Sequence, residues 1–417
     1  MKLKTRFAGS GAAAAAAAAV AAVAALFSVQ SARAGGPVAA EPETMQHVAV
    51  CDMYGAGFYY VPGTETCVKI SGYIDVQYEY TSHEDADLDL GNDVMVSLSR
   101  DSIGEAVFLG RVNFDVREET DYGTLRSYIR LEGEGDNSSE GGVTAKDVYL
   151  ELGGFATGYR TTALETGGHT GLMLDGYYGG GRHMFADYTF SANGLTLTAG
   201  VQLDSGASLA EADGPVDILV DGEGGWGALV PANVGAGGDA KSADPYIVVT
   251  YSGDMFSLRA KYGSDTSESE DFYGVDGSVT PMDGLTLRAY WEASTGYNDY
   301  AASANGITYL TGTYELNGTT SAVSGDDFFV QAEQSWGVSA AYAVTDDVSI
   351  AAGYAVSSFD DYDSFGVEDM EGITIGIDWT PVPNLIVRAN YRRQTWGVEN
   401  VSEAASNEFR IRIRRSF

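Results

Sequence analysis

Several features that would mark other protein classes are scarce in this sequence. After residue 34 there is no apolar run long enough for a membrane-spanning helix, which excludes a helical membrane protein. Its four histidines, His47, His83, His169 and His183, show no Ser-His or metal-ligand spacing. We therefore expect no enzyme, no metal site and no cofactor. Proline is also rare (9), whereas glycine (53) and tyrosine (26) are abundant, which indicates a β-protein.

The first 34 residues have the pattern of a secretory signal peptide. Three basic residues precede an alanine-rich stretch, 12–27, and the small-residue motif Ala32-Arg33-Ala34 follows. A membrane-spanning helix is the alternative, but the cleavage-type motif favours removal after Ala34. We expect residues 1–34 to direct export and to be cleaved.

Basic residues are greatly outnumbered by acidic ones. Removal of 1–34 takes four of the 24 basic residues and none of the 59 acidic ones, which leaves a formal net charge of −39. Such a surface excludes nucleic acid as a partner and suits a protein that lives among divalent cations.

The only two cysteines, Cys51 and Cys67, suit a single disulfide because the export signal directs the chain to an oxidising compartment. A zinc site is the alternative, and it would need more ligands than two thiols with His47 nearby.

Almost every segment after Cys67 alternates apolar and polar residues over about ten positions, the length of a tilted strand that crosses a bilayer. In 195–204 five apolar residues share one face and four polar residues share the other, and 373–380 repeats the pattern. A soluble sandwich would alternate in the same way, so the connections must decide between the two folds.

Short and long connections alternate strictly along the chain. Short turns are predicted near 120–123, 153–155, 192–194, 253–255, 281–284, 345–347 and 381–384. Longer loops rich in glycine and acidic residues are predicted near 81–105, 135–144, 163–182, 205–244, 264–270, 295–333, 359–369 and 397–406.

Seven turns and eight loops imply an all-β fold, a closed transmembrane antiparallel β-barrel of sixteen strands with short periplasmic turns and long extracellular loops. Sixteen strands enclose an aqueous lumen. The strands near 245–252 and 271–279 alternate poorly, so they could shift in register or face another subunit. The predicted regions are a signal peptide (1–34), a periplasmic segment with the disulfide (35–67) and the barrel (68–417).

About half of the basic residues of the exported chain fall on the polar faces of strands that adjoin in a closed barrel. Stacked arginines cannot face hydrocarbon, where one at the midplane costs about 2–4 kcal/mol, so we expect them to line water. Acidic residues on the same faces, among them Asp75, Glu79, Asp115 and Glu132, would hold the guanidinium groups apart. We call this set the basic arc: Lys69, Arg111, Arg117, Arg126, Arg130, Arg388, Arg392, Arg410, Arg412 and Arg414.

The third long connection, residues 163–182, contains the apolar run Leu172-Met173-Leu174, which is unusual for a loop in water. We predict that it folds into the barrel as an inner loop and directs Glu165 and Asp175 towards the basic arc. The opposed charges would create a transverse field across the constriction. An ordinary external loop is the alternative.

The stretch from Cys51 to Tyr73, CDMYGAGFYYVPGTETCVKISGY, resembles the start of alphaproteobacterial porins of the rhizobial and brucella type, and the terminal strand is similar too. The resemblance implies an outer-membrane, homotrimeric general-diffusion porin for small hydrophilic solutes, with a third loop folded inward. It also implies that the barrel-assembly machinery reads Phe417.

Two other functions remain open. A channel selective for oligosaccharides would display aromatic residues along the lumen, and Tyr73, Tyr128, Tyr149 and Tyr290 point inward, although they are scattered among charges. A structural or adhesion barrel could use acidic runs such as 360–363 to bind calcium, but their spacing matches no EF-hand loop. Outer-membrane lipid and lipopolysaccharide are the expected surroundings for each function.

Overall fold

In a computed structural model, the described residues belong to one compact unit, Val48–Phe417. The predicted signal peptide, 1–34, lies outside the described residues. The structure describes residues 50–84, 86–89, 95–98, 102–138, 141–166, 172–174, 179–203, 243–266, 269–296, 300, 303–305, 312–316, 319–323, 329–359, 367–398 and 404–417.

Sixteen strands of this unit form the barrel. They are β1 (Cys67–His83), β2 (Ile103–Thr120), β3 (Gly123–Asp136), β4 (Gly142–Leu152), β5 (Phe155–Thr161), β6 (Arg182–Ala192), β7 (Leu195–Leu203), β8 (Ala243–Ser252), β9 (Phe256–Asp265), β10 (Glu270–Met282), β11 (Leu285–Ser294), β12 (Phe329–Ala343), β13 (Val348–Phe359), β14 (Val367–Val382), β15 (Leu385–Val398) and β16 (Ala404–Ser416).

Every strand pairs antiparallel with its neighbours in sequence, and the first strand pairs with the last. Residues Tyr73 to His83 of β1 lie opposite Ser416 to Ser406 of β16, so the sheet closes on itself. Closure satisfies the backbone groups that an open edge would leave unpaired in hydrocarbon. The predicted sixteen-stranded antiparallel barrel, with seven short turns and eight longer connections, is confirmed.

Turn chemistry explains the short connections. Between β6 and β7, Asn193 and Gly194 both adopt positive φ, at 51° and 80°, as a two-residue hairpin turn requires. The longer connections contain the short strands Ala86–Asp89, Met95–Leu98, Ser303–Asn305, Gly312–Leu316 and Thr319–Val323. Before β1 lie a 3-10 turn, Asp52–Tyr54, and the two-residue strand Tyr59–Tyr60.

The apolar side chains of the strands lie on the outside of the barrel. On β1, Ile74 and Tyr78 are 61% and 56% exposed, whereas the alternating Asp75 and Gln77 are 1% and 7% exposed. This inside-out arrangement is what a lipid-facing belt around a polar interior demands. Among the described residues, no helix is long and apolar enough to cross a membrane.

The two stretches whose sequences alternate poorly, 245–252 and 271–279, pair with their neighbours in continuous register. On β8, Asp244, Tyr246 and Val248 are buried inside, whereas Ile247 and Val249 are exposed outside. Phe272 of β10 likewise points inward and is fully buried. The alternation is obscured because these inward positions are apolar too, since they are covered by another part of the chain.

Candidate functional site

The structure places all ten residues of the basic arc on the inward faces of five consecutive strands. Arg388 and Arg392 lie on β15, and Lys69 lies on β1. Arg410, Arg412 and Arg414 lie on β16, Arg111 and Arg117 on β2, and Arg126 and Arg130 on β3. Residues almost 350 positions apart in sequence therefore share one wall because the barrel closes between β16 and β1.

The arginines of β16 are matched by acceptors on β1. Register places Arg414 opposite Asp75, Arg412 opposite Gln77 and Arg410 opposite Glu79. Arg414 Nη2 lies 2.5 Å from Asp75 Oδ2, and Arg410 Nε lies 2.7 Å from Glu79 Oε1. Arg412 donates from Nη2 to Gln77 Oε1 at 2.5 Å, and its Nε lies 3.4 Å from Asp75 Oδ2. The acceptors keep neighbouring guanidinium groups apart.

Shared carboxylates organise the other end of the arc. Asp115 accepts hydrogen bonds from both Arg117 and Arg126, at 2.8 to 3.0 Å. Glu132 does the same for Arg111, at 2.6 Å, and for Arg130, at 2.9 Å. On β15, Arg388 pairs with Asp378 at 2.6 Å and Arg392 pairs with Glu408 at 2.5 Å.

Aromatic rings separate the arginines where no carboxylate does. The guanidinium carbons of Arg414 and Arg111 lie 3.9 Å and 4.6 Å from the ring centroid of Tyr73. Such cation–π contacts fix the side chains in place at modest energy. The wall is therefore a mostly paired ladder of charges.

The inner loop connects β5 to β6 and packs against inward faces on the other side of the barrel. Leu164 forms a buried cluster with Tyr246 and Val248 of β8, Phe272 of β10 and Tyr300. Tyr300 donates to Asp244 at 2.5 Å, and burial followed by this hydrogen bond raises the pKa of the Tyr300 hydroxyl. Leu164 is what covers the apolar inward positions that obscured the alternation of β8 and β10.

The middle of the inner loop reaches β13 and β14. Met173 N donates to Thr374 Oγ1 at 3.4 Å, and Met173 and Leu174 are almost fully buried. A Cβ on Gly353 of β13 would lie 2.8 Å from Leu172 Cδ1 and 3.1 Å from Leu174 Cδ1. Glycine at 353 thus leaves room for the leucines.

Of the two predicted acidic residues of the inner loop, the structure describes one. Glu165 lies on the β9 side, where its backbone oxygen accepts a hydrogen bond from Arg259 at 2.7 Å and its side chain approaches Gly180. Strand β9 is eight strands from β1, across the barrel from the basic arc. Asp175 lies outside the described residues.

The predicted disulfide is present and closes a small cluster at the short-turn end of the barrel. Cys51, Cys67 and Phe58 are buried together. The Phe58 ring lies 5.0 Å from the Arg117 guanidinium carbon and 5.7 Å from Lys69 Nζ, so the segment covers this end of the basic arc. Burial, with the neighbouring Glu119 carboxylate, raises the pKa of Tyr54 to about 12.

The last residue fastens the seam of the barrel. Phe417 N donates to Gly72 O at 3.0 Å, and Gly72 N donates to Phe417 O at 3.1 Å. The Phe417 side chain is 57% exposed on the outside. Its role as an assembly signal stays a prediction.

Sequence reasoning missed the charged groups opposite the basic arc. Lys261 and Glu292 are buried at 2.7 Å from each other, and Arg259 pairs with Asp276 at 2.8 Å. A signal was available: inward glycines and apolar residues on β8 to β13 indicate that something other than water covers this wall. Within the described ranges, no group of three or more His, Cys, Asp and Glu side chains is arranged to hold a metal ion.

Comparisons with known proteins agree with this architecture. A family model described as a porin subfamily matches residues 36–414. Porin Omp2a of Brucella ovis is 30% identical over 262 residues, 55% of this chain and 69% of that protein. The putative outer membrane protein y4fJ of Sinorhizobium fredii is 36% identical over 138 residues, 32% of this chain. The match spans 39% of the length of y4fJ.

A solved structure of similar fold is the outer membrane channel DcaP of Acinetobacter baumannii. Its TM-score is 0.57 at 14% sequence identity, and the match covers 86% of this chain and 99% of that chain. At this identity the likeness concerns the fold alone.

Proposed function

The chain belongs to the porin subfamily, and from this we propose that it is an outer-membrane porin for passive diffusion of small hydrophilic solutes and ions. The observation that carries the proposal is the closed sixteen-stranded barrel whose outer face is apolar and whose inner face holds the ten side chains of the basic arc. Charged ladders of this kind require water, and the lumen is where a lipid-embedded barrel can supply it.

The route for solutes runs between the basic arc and the inner loop. The contacts of the loop lie between β7 and β14. At one limit Thr162, which precedes the loop, donates to Gln202 of β7 at 2.8 Å, and at the other Met173 N donates to Thr374 of β14. The arc occupies β15 to β3, so the two features line opposite sides of the lumen. Ordered dipoles and charges on both sides favour hydrated solutes over apolar ones.

The salt bridges leave little net charge on the arc, while the exported chain without residues 1–34 carries a formal net charge of −39. We therefore expect a weak preference for cations, because the acidic vestibules attract them and the paired arginines repel them only slightly.

A liposome-swelling assay tests the function. Purified protein in liposomes should admit sugars at rates that fall smoothly with molecular size. Empty liposomes give the baseline, and protein that adds nothing to that baseline would contradict a pore.

An oligosaccharide-selective channel is the second candidate, and one observation favours it. Tyr128 and Tyr149 stack at 5.2 Å, and Phe185 lies 6.3 Å from Tyr149 on the same inner wall. However, guanidinium groups of Arg126 and Arg160 already cover these rings. A selective channel would pass one sugar faster than its size predicts, and the same assay separates the two functions.

The remaining features of the proposal concern export, membrane surroundings, assembly and the absence of catalysis. Residues 1–34 direct export, the disulfide segment lies in the periplasm, and outer-membrane lipid and lipopolysaccharide surround the barrel. The assembly is a homotrimer and the protein has no enzymatic activity. Cross-linking of the protein in detergent, followed by mass analysis, tests the trimer.

A further inference from the structure

One ion pair lies beneath the inner loop, across the barrel from the basic arc. Lys261 of β9 and Glu292 of β11 lie 2.7 Å apart, and their side chains are 0% and 2% exposed. The arginines of the arc are 14% to 27% exposed, so their charges keep some contact with water. Full burial of an ammonium group is costly unless every hydrogen is bonded.

The two strands that carry the pair are not neighbours, because β10 lies between them. Register places Gly274 of β10 opposite Lys261 on one side and opposite Glu292 on the other. A Cβ on Gly274 would lie 2.6 Å from Lys261 Cε and 3.5 Å from Glu292 Cγ. The absence of a side chain at 274 therefore lets lysine and glutamate meet over the intervening strand.

The remaining hydrogen bonds of the pair go to the inner loop. Lys261 Nζ donates to Leu164 O at 2.8 Å and to Thr166 Oγ1 at 2.7 Å, as well as to Glu292. Glu292 accepts from Gly179 N at 2.7 Å and from Thr166 Oγ1. All three ammonium hydrogens are used, and the loop is bonded near its start and near its end.

A contribution to the stability of the wall does not explain why an ion pair is buried here. Strands β9, β10 and β11 are already joined by continuous backbone pairing on both sides of Gly274. A buried ion pair adds little net stability over apolar side chains of the same size. The pair instead positions the inner loop, because its hydrogen bonds hold residues near the start and near the end of the loop at one point of the wall.

We propose that Lys261 and Glu292, brought together over Gly274, form the anchor that holds the inner loop in the lumen and thereby sets the size limit of the pore. The proposal rests on the function proposed above. Without the anchor, the described polar bonds from the loop to the facing wall are those from Arg259 to Glu165 O and from Met173 N to Thr374 Oγ1. Neither of them holds the end of the loop near Gly179, so the loop would leave its place and widen the lumen.

A thiol-labelling experiment tests the anchor directly. Both natural cysteines are joined in the disulfide, so Met173→Cys introduces a unique thiol at a buried position of the inner loop. The test variant adds Lys261→Met and Glu292→Met, which remove both charges together and leave no unpaired buried charge. Gly274→Ala is a second variant, since it separates the pair without changing any charge.

The matched control adds Arg388→Met and Asp378→Met to Met173→Cys. This pair also bridges two inward faces, at 2.6 Å, and its described hydrogen bonds involve no residue of the inner loop. A water-soluble maleimide is applied to the assembled barrels in detergent. The size limit for sugars is measured on the same proteins in liposomes.

We expect the test variant to react at least about tenfold faster than its parent, because labelling follows the population of the open loop. It should also admit larger sugars, while labelling of the control stays at the parental rate. Equal labelling of test variant and parent would overturn the proposal, and so would faster labelling with an unchanged size limit. A parent protein that admits no sugar would instead contradict the pore itself, and labelling would still report on the anchor.

Discussion

Asp75 is the position at which the electrostatics of the basic arc can be tested most sharply. Its Oδ2 lies 2.5 Å from Arg414 Nη2 and 3.4 Å from Arg412 Nε, and the residue is 1% exposed. Asp75→Asn keeps the shape and one acceptor but removes the negative charge. Arg412 and Arg414 are 21% and 27% exposed, so water can solvate them after the change and the barrel should still assemble.

The lumen then gains one positive charge. An ion that passes at about 8 Å in water feels a change of about 0.5 kcal/mol, of opposite sign for cations and anions. Without screening, the difference of about 1 kcal/mol between cations and anions would raise the permeability ratio of anions to cations about fivefold. At about 0.1 M salt the screening length of about 10 Å roughly halves this energy, so we expect an increase of about twofold. Near 1 M salt the screening length falls to about 3 Å, and the change should nearly disappear.

Reversal potentials in planar bilayers under a KCl gradient measure this ratio. Asp347→Asn is the matched control, because it removes the same charge from an exposed turn between β12 and β13, outside the lumen. An unchanged ratio at about 0.1 M salt in assembled Asp75→Asn protein would refute the reasoning, as would an equal shift in the control.

Two further predictions concern stability. Replacing Cys51 and Cys67 by serine opens a loop of 16-residue separation and should cost about 3 kcal/mol, seen as a lower unfolding midpoint in urea without a change in the barrel spectrum. Reduction of the natural protein should match it. At the end of β1, the hydrogen bond from Arg393 lowers the pKa of Glu84. Since the pKa of Glu84 is lower in the folded protein than in the unfolded chain, the stabilisation is fully present at pH values above the unfolded pKa. It is lost as the pH falls through the folded pKa. The difference in melting temperature between natural protein and Arg393→Gln should therefore close in acid; a difference independent of pH would contradict it.

The face of the barrel wall that each strand residue occupies could be predicted from sequence, because alternation along a strand depends on local order alone. Arg410, Arg412 and Arg414 alternate with Ile411 and Ile413, and no tertiary contact is needed to place them on opposite faces. Closure of the barrel then brings β16 beside β1, so the gathering of the basic arc on one wall follows from the strand count.

The partners of the arc could be predicted in kind but not one by one. Asp75 was expected to neutralise arginines, yet its pairing with Arg414 depends on the register between β1 and β16. A shift of two residues would keep every face correct and change every pair.

The contacts of the inner loop could not be predicted from local sequence patterns. Lys261, Gly274 and Glu292 are ordinary residues of three strands, and their meeting depends on register across β10. Leu164 contacts Tyr246 and Val248 over more than 80 positions of sequence. Apolar residues on inward faces obscured the alternation of apolar and polar positions, because nothing in the sequence shows which segment covers them.

The central claim is that the polar face of these strands encloses water, and adjacent positions of β16 test it. Arg412→Cys and Ile413→Cys differ by one residue and, by strand alternation, by which side of the wall they occupy. A charged, water-soluble thiol reagent should modify Arg412→Cys and reduce the ion current through a planar bilayer, and it should leave Ile413→Cys unmodified. Modification of both positions at similar rates, or no ion current from either protein, would contradict a water-filled lumen.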